Sequence, residues 1–328
     1  MNTFCDRMPS KLHTIFFTIA FLLYTVMFNA AAWAGEQTDG KGYCRMMVGD
    51  VEVIALSDGT NKRLLDQQVQ LLQGDREKLK EMLVRAYPDE QMESTVNAYL
   101  INTGSKLVLI DTGNGEMGSP SMGNVLNNLR AAGYKPEQIE EVYLTHMHGD
   151  HVGGLVSGSE RVFPNATVYA NQREADYWLG DSNRNEAPAD VRRTFQAAKT
   201  AITPYMIAGK FKTFDEKDLL SSGIRARALF GHTPGHTGYV IESKGNTLVL
   251  CGDIVHVAAV QFEDPSVAIS YDSDKAEAAK TRQQFLAEAA ENNWLIGDDH
   301  IAFPGMGYVQ INDDGGYVFV PTDIPAVD

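Results

Sequence analysis

Three histidines and an aspartate fall within the short stretch His146-Met147-His148-Gly149-Asp150-His151, directly after the apolar run Val142-Tyr143-Leu144. Imidazole nitrogens and carboxylate oxygens are ligands for Zn²⁺ and related divalent ions, and the lack of cysteine here argues against a closed structural zinc. So short a piece of chain cannot easily aim all of these groups at one ion. A strand end, a tight turn and a helix starting near Asp150 would point them in two directions, so the stretch predicts two ions. Gly149, Gly153 and Gly154 give such a turn its backbone freedom. Elsewhere, Asp253 follows the apolar run Leu248-Val249-Leu250 and offers a carboxylate able to bridge two ions. The loop Gly231-His232-Thr233-Pro234-Gly235-His236 holds two more histidines. Pro234 and Gly235 disfavour a continuous helix, so the two rings need not face the same way, and one of them is expected to be a ligand.

The elements that must position these groups follow from the apolar patterning. Tyr43 to Leu56 reads as opening strands, closed by a turn at Ser57-Asp58-Gly59-Thr60. Leu65, Val69, Leu72, Leu79, Met82 and Leu83 recur at near-helical spacing, predicting a helical insertion over 58–96. That insertion is expected to pack on the domain edge, with a lid or a homodimer surface as alternatives. Ala98-Tyr99-Leu100-Ile101 and Lys106 to Ile110 read as a hairpin leading into Asp111-Thr112-Gly113, and Thr247 to Asp253 echoes it. Two apolar strands each ending in an aspartate suggest two facing sheets with helices outside. A helix around Val125, Leu126 and Leu129 closes at Gly133 and is followed by the strand feeding His146, a β-α-β order that gives an α/β class with mixed layers.

His-x-His-x-Asp-His followed by Gly-Gly resembles the signature of the metallo-β-lactamase superfamily. Asp111-Thr112-Gly113, His232-Thr233-Pro234-Gly235-His236, Gly252-Asp253 and the segment from Ala258 to Val267 extend the likeness to essentially everything after Tyr43. They point to the methyl parathion hydrolase group and its lactonase-like relatives. The resemblance implies a single-domain, four-layer αββα sandwich. It implies His232 as the loop ligand, with His236 hydrogen-bonding behind it, and His300 as the last ligand. The expected centre has His146, His148 and His232 on one ion, Asp150, His151 and His300 on the other, and Asp253 between them, with Asp111 orienting a ligand loop. Two divalent ions, expected to be Zn²⁺, would then activate a bridging hydroxide for attack, with Asp150, Asp253 and His256 as the residues nearest the chemistry.

True metallo-β-lactamases generally lack the bridging aspartate, and the segment from Gln310 to Asp328 has no lysine or arginine to clamp a glutathione thioester. A lactone, a carboxylic ester or a phosphotriester remains. Trp178 and Phe195 stand where the parathion-hydrolysing group carries pocket aromatics, and Phe262 lies in the shared segment after Asp253. Glu116-Met117-Gly118-Ser119 replaces a further pocket aromatic, which weakens the phosphotriester reading. His256 takes the place of a tyrosine of related lactonases. It is expected to donate a hydrogen bond or, as imidazolium, to protonate a leaving alkoxide. A non-catalytic metal-binding scaffold and a mono-iron oxidoreductase are the alternatives from other classes.

The chain has 328 residues and a formal charge of −15, with 28 basic against 43 acidic residues. So acidic a balance excludes nucleic acid as a natural partner. Residues 1–34 read as a secretory signal: Arg7 and Lys11, an apolar run from Ile15 to Phe28, and the end Ala32-Trp33-Ala34. A secreted or periplasmic location is therefore expected for residues 35–328, with no stable membrane association after cleavage and a small-molecule ester or lactone as substrate. Cys44 and Cys251 remain after cleavage, and Cys251 is expected to be a buried free thiol beside Asp253.

Overall fold

Runs of apolar residues with every side chain buried mark strands that are covered on both faces. Val108 to Ile110 and Leu248 to Cys251 are such runs, within the strands Leu107–Ile110 and Asn246–Gly252, and these lie inside two separate sheets. The first sheet has the order Tyr43–Val48, Val51–Leu64, Gln91–Asn102, Leu107–Ile110, Glu141–Tyr143, Thr167–Asn171, Phe211–Phe214. It is antiparallel as far as Leu107–Ile110 and parallel beyond it. The second has the order Arg225–Ala228, Thr237–Ser243, Asn246–Gly252, Leu295–Asp298, Met306–Ile311, Tyr317–Pro321. Its one parallel pairing joins Asn246–Gly252 to Leu295–Asp298. The computed structural model describes residues 42–322 except 190, 217, 219, 221 and 222. The predicted leader lies outside the described residues.

Between the sheets, Tyr99, Ile110 and Tyr143 of the first meet Tyr239, Leu250 and Met306 of the second. On the outer face of the first sheet, Leu129, Val152, Phe195 and Ile202 come from helices. Phe285, Leu286 and Ala289 of the helix Lys275–Glu291 cover Val249 and Ile296 of the second. The layers are therefore helix, sheet, sheet, helix: the αββα sandwich. Each large apolar side chain taken fully from water contributes about 1.5–3 kcal/mol, so these three clusters are the main source of stability. Cys44 and Cys251 are buried free thiols in different clusters. Among the described residues, no helix is long and apolar enough to cross a membrane.

Two expectations are corrected here. The stretch from Ser57 to Thr60 is not a turn but a bulge within the strand Val51–Leu64, where the register with Gln91–Asn102 shifts between Ser57 and Gly59. The cause is tertiary. The buried Asp58 carboxylate accepts from the backbone N–H of Asn114 (3.1 Å), Gly123 (3.1 Å) and Val125 (3.4 Å), and from the Asn114 amide at 2.8 Å. Gly59 has φ +135°, and a Cβ there would lie 2.0 Å from the Ser121 carbonyl oxygen. The helical insertion is accordingly smaller than 58–96. It comprises Leu65–Leu71 and Arg76–Ala86, the second capped by Asp75, set between two long paired strands. Leu79, Met82 and Leu83 pack against Val257, Val260 and Ile269, so the insertion is sealed onto the chain that follows Asp253.

Asp58→Ala would strand these backbone donors in the interior at a cost of about 1–3 kcal/mol. Thermal unfolding should then show a Tm lower by about 2–5 °C. An unchanged Tm would mean that Asp58 does not hold the 114–125 loop.

Candidate metal centre

The ends of strands from both sheets converge on Asp253, which is 2% exposed and follows directly on Asn246–Gly252. His146 and His148 sit in the turn after Glu141–Tyr143, and Asp150 and His151 in the helix Gly149–Val152 that this turn opens. His232 comes from the loop before Thr237–Ser243 and His300 from the loop after Leu295–Asp298. The Asp253 carboxylate faces both donor sets. Its Oδ2 lies 3.3 Å from His232 Nε2, 3.5 Å from His146 Nε2 and 3.0 Å from His300 Nε2, and its Oδ1 lies 3.2 Å from His151 Nε2.

Of four overlapping groups of ligand atoms among the described residues, two form the expected half-sites: His146, His148, His232 with Asp253, and Asp150, His151 with His300; the others are Asp253, His256 with His300, and Asp111, His151 with Asp299. His148 Nδ1 is 3.0 Å from His146 Nε2 and 3.1 Å from His232 Nε2. Asp150 carries oxygens 3.7 Å from both His151 Nε2 and His300 Nε2. His151 Nε2 and Asp253 Oδ1 are buried and lack a hydrogen-bond partner despite their proximity. Buried polar atoms of this kind are otherwise satisfied in nearly every case. A set of imidazoles and carboxylates with lone pairs converging and unsatisfied fits divalent cations.

The direction of each ring is fixed from behind. His151 donates through Nδ1 to Asp111 Oδ2 at 2.9 Å, His232 to Asp272 Oδ1 at 2.9 Å, and His300 to the Thr95 carbonyl at 2.8 Å. Thr145 gives its hydroxyl proton to Asp111 Oδ2 (2.5 Å), which leaves it to accept from His146 Nδ1 at 3.0 Å. His236 has no nitrogen left for an ion: Nδ1 donates to the Leu229 carbonyl at 3.0 Å, and Nε2 accepts the Asp253 N–H at 3.0 Å. The structure thus brings His146, His148, Asp150, His151, His232, Asp253 and His300 together and puts Asp111 and His236 behind them.

Three positioning carboxylates carried no signal in the sequence. Glu174 accepts from the backbone N–H of Met147 (2.9 Å) and Gly235 (2.9 Å) and from the Thr233 hydroxyl (2.8 Å), clamping the two histidine loops together. Asp272 orients His232. Asp298 accepts from the N–H of His300 (2.9 Å) and Val255 (3.1 Å), tying the His300 loop to the chain after Asp253, and burial pushes its carboxyl up to about 7.

A cavity of about 900 Å³ opens over the centre, with Asp150, Asp253, His256, His300 and Trp178 in its lining. The expected pocket aromatics divide. Trp178 lines the cavity, with its ring 5.3 Å from that of His148. Phe195 does not; it is buried behind Trp178 at 4.6 Å and supports it. Phe262 is a core residue stacked on Phe319 at 5.5 Å, because the helix Ala258–Gln261 turns it into the cluster under the second sheet. Both are corrections to the expected pocket. His256 is placed at the centre, with Nε2 3.1 Å from Asp253 Oδ2 and its ring stacked on His300 at 4.8 Å. Burial pushes it down to about 4, which makes it a neutral imidazole near pH 7.

The same burial, with the charge of His232, pushes His148 down to about 3. For His232 and His300 burial also opposes the proton, but Asp253 with Asp272, and Asp253 with Asp150, outweigh it and lift the rings to about 9 and about 10. Burial would raise Asp253, yet the surrounding rings, His151 and His300 foremost, hold it well below the usual carboxylate range.

Residues 92–296 match the Metallo-beta-lactamase superfamily, and the chain belongs to that family. Two solved structures show how far the likeness goes. AbOPH, a hydrolase in the beta lactamase superfamily, has a TM-score of 0.81 at 37% identity, over 86% of this chain and 98% of AbOPH. AidC, a dizinc quorum-quenching lactonase, has a TM-score of 0.76 at 27% identity over the same shares of each chain. The N-acyl homoserine lactonase of Bacillus cereus is 24% identical over 208 residues, 58% of this chain and 75% of that protein.

Metal uptake tests these proton positions. Without metal, His232 and His300 hold protons at neutral pH, and an ion must displace them, so binding should release protons and tighten as pH rises from 6 toward 9. Titration calorimetry of zinc into metal-free protein, in buffers of different ionisation enthalpy, should show this release. A pH-independent affinity would contradict it.

Proposed function

We propose that the protein is a dinuclear metal-dependent hydrolase of lactones or simple carboxylic esters, with zinc as the metal. The observation that carries this reading is Asp253, one buried carboxylate presented to two histidine-rich ligand sets at the floor of a cavity. The likeness to AidC, a dizinc lactonase, supports the pair of ions and the substrate class. His146, His148 and His232 would hold one ion, Asp150, His151 and His300 the other, with Asp253 between. When bound, such a pair supplies Lewis acidity and a water activated for attack at neutral pH.

The chain's own residues do the rest. Asp111, Asp272 and the Thr95 carbonyl keep the ring nitrogens aimed inward, so no ligand has to reorient when substrate arrives. Trp178, with Ala187, Pro188 and Val191, gives the cavity an apolar wall for an acyl or aryl group and excludes water there. Beside Asp253, His256 directs Nε2 toward the inner end of the cavity. Being neutral, it has one N–H, which faces Asp253, so it would donate to a carbonyl or leaving oxygen once bound ions engage that carboxylate, and it is not an imidazolium acid.

Removal of metal by chelation should abolish hydrolysis of a simple lactone and an aryl ester, and zinc should restore both. Turnover that survives complete demetallation would end this reading, and metal uptake without any turnover would favour a scaffold. Within the restored enzyme, His256→Phe should slow alkyl esters and lactones by up to about tenfold more than nitrophenyl esters, whose leaving groups need little help. Equal losses would reduce His256 to a packing role.

A further inference from the structure

Several lysines and arginines on the described strands and helices of this acidic chain pair with a carboxylate. Lys78 pairs with Asp264 and Lys199 with Asp181 at 2.9 Å, Arg225 with Glu242 at 3.0 Å, and Arg227 with Glu288 at 2.7 Å. Arg63 is different. It stands on the strand Val51–Leu64, lines the cavity, and is the only lysine or arginine among the described lining residues. Among those residues no carboxylate lies within ion-pair distance of it. Its contacts are neutral and both use Nη1: the Gln68 carbonyl oxygen at 3.3 Å and the Tyr271 hydroxyl at 3.1 Å. Gln68 is 1% exposed and held in the helix Leu65–Leu71, so the guanidinium is braced by a fixed partner.

The cavity's carboxylates are otherwise engaged. Asp150 and Asp253 belong to the metal centre, Asp272 holds His232, and Glu186 is beyond ion-pair reach of Arg63. The Tyr271 ring, whose hydroxyl meets Arg63, lies 5.9 Å from the His256 ring, which in turn stands against Asp253. One tyrosine therefore separates the guanidinium from the reacting end of the cavity. A planar, permanently charged fork with Nε and Nη2 unspent among the described residues matches the paired oxygens of a carboxylate, as it would those of a phosphate.

We infer that Arg63 recognises an anionic substituent, so that the substrate of this cavity is an ester or lactone bearing a carboxylate at the end remote from the scissile bond. The inference rests on the hydrolase reading above and specifies its substrate class. In a cavity open to solvent such a pair changes affinity by about two- to fivefold, and salt weakens it.

The experiment uses the metal-loaded protein and two nitrophenyl esters of equal length, the suberate monoester and the octanoate. The wild type should favour the suberate monoester in kcat/KM by about two- to fivefold. Arg63→Met should abolish that preference, Arg63→Lys should keep part of it, and added salt should erode it. If Arg63 only tied the insertion to Tyr271, its loss would affect both esters alike and leave the ratio intact, which overturns the inference. Calorimetric binding of suberate against octanoate, and of adipate against hexanoate, reads the same subsite without turnover. Dicarboxylate binding that depends on Arg63 while neither ester is hydrolysed would sink the hydrolase reading and leave the anion subsite standing. Binding indifferent to Arg63→Met overturns the subsite whatever the turnover.

Discussion

A carboxylate removed from water has to be compensated by positive charge or by donors, and in this fold the compensation is concentrated around Asp253. Nitrogens of His146, His151, His232, His256 and His300 all lie within 3.5 Å of its oxygens. Without cations, protons on some of these rings must do the balancing; with two divalent ions the rings turn neutral and become ligands. The remainder of the site serves this exchange of protons for metal. It needs lone pairs held in place before the ion arrives, and that is what Asp111, Asp272 and the Thr95 carbonyl provide from behind.

Two facing sheets are a good frame for such a centre because strand ends are among the least mobile places from which to project side chains. Asp253 and His300 follow neighbouring parallel strands of the second sheet, Asn246–Gly252 and Leu295–Asp298. His146 and Asp111 follow neighbouring parallel strands of the first. The loops between are then cross-linked by buried acids: Glu174 joins the histidine turn to the His232 loop, and Asp298 joins the His300 loop to Val255. The insertion completes the cavity by carrying Gln68 and by following Arg63, so recognition chemistry sits on a part of the chain outside the metal-binding loops.

The histidines and carboxylates that the structure gathers around Asp253 were legible in the sequence because their chemistry is local. Histidines crowded after an apolar run state their purpose without a structure, and the choice of His232 over His236 followed from the motif the loop resembles. The carboxylates that aim the ligands were not legible. Glu174, Asp272 and Asp298 are three among 43 acidic residues, and only the approach of distant backbone N–H groups or a ring nitrogen singles them out. Asp58 failed in the opposite way. Ser-Asp-Gly-Thr has the composition of a turn, but the 114–125 loop captures the aspartate and keeps the strand going. Of the aromatics, sequence could not separate Trp178, which faces the cavity, from Phe195 and Phe262, which pack away from it.

The central claim is that one carboxylate organises two metal ions. Anomalous diffraction from crystals of the zinc-loaded protein, collected on either side of the zinc edge, tests it most directly. Two peaks about 3.5–4 Å apart, flanking Asp253 and reaching His146, His148 and His232 on one side and Asp150, His151 and His300 on the other, are the result this account predicts. A single peak in a fully active crystal, or an ion ligated by His236, would contradict it.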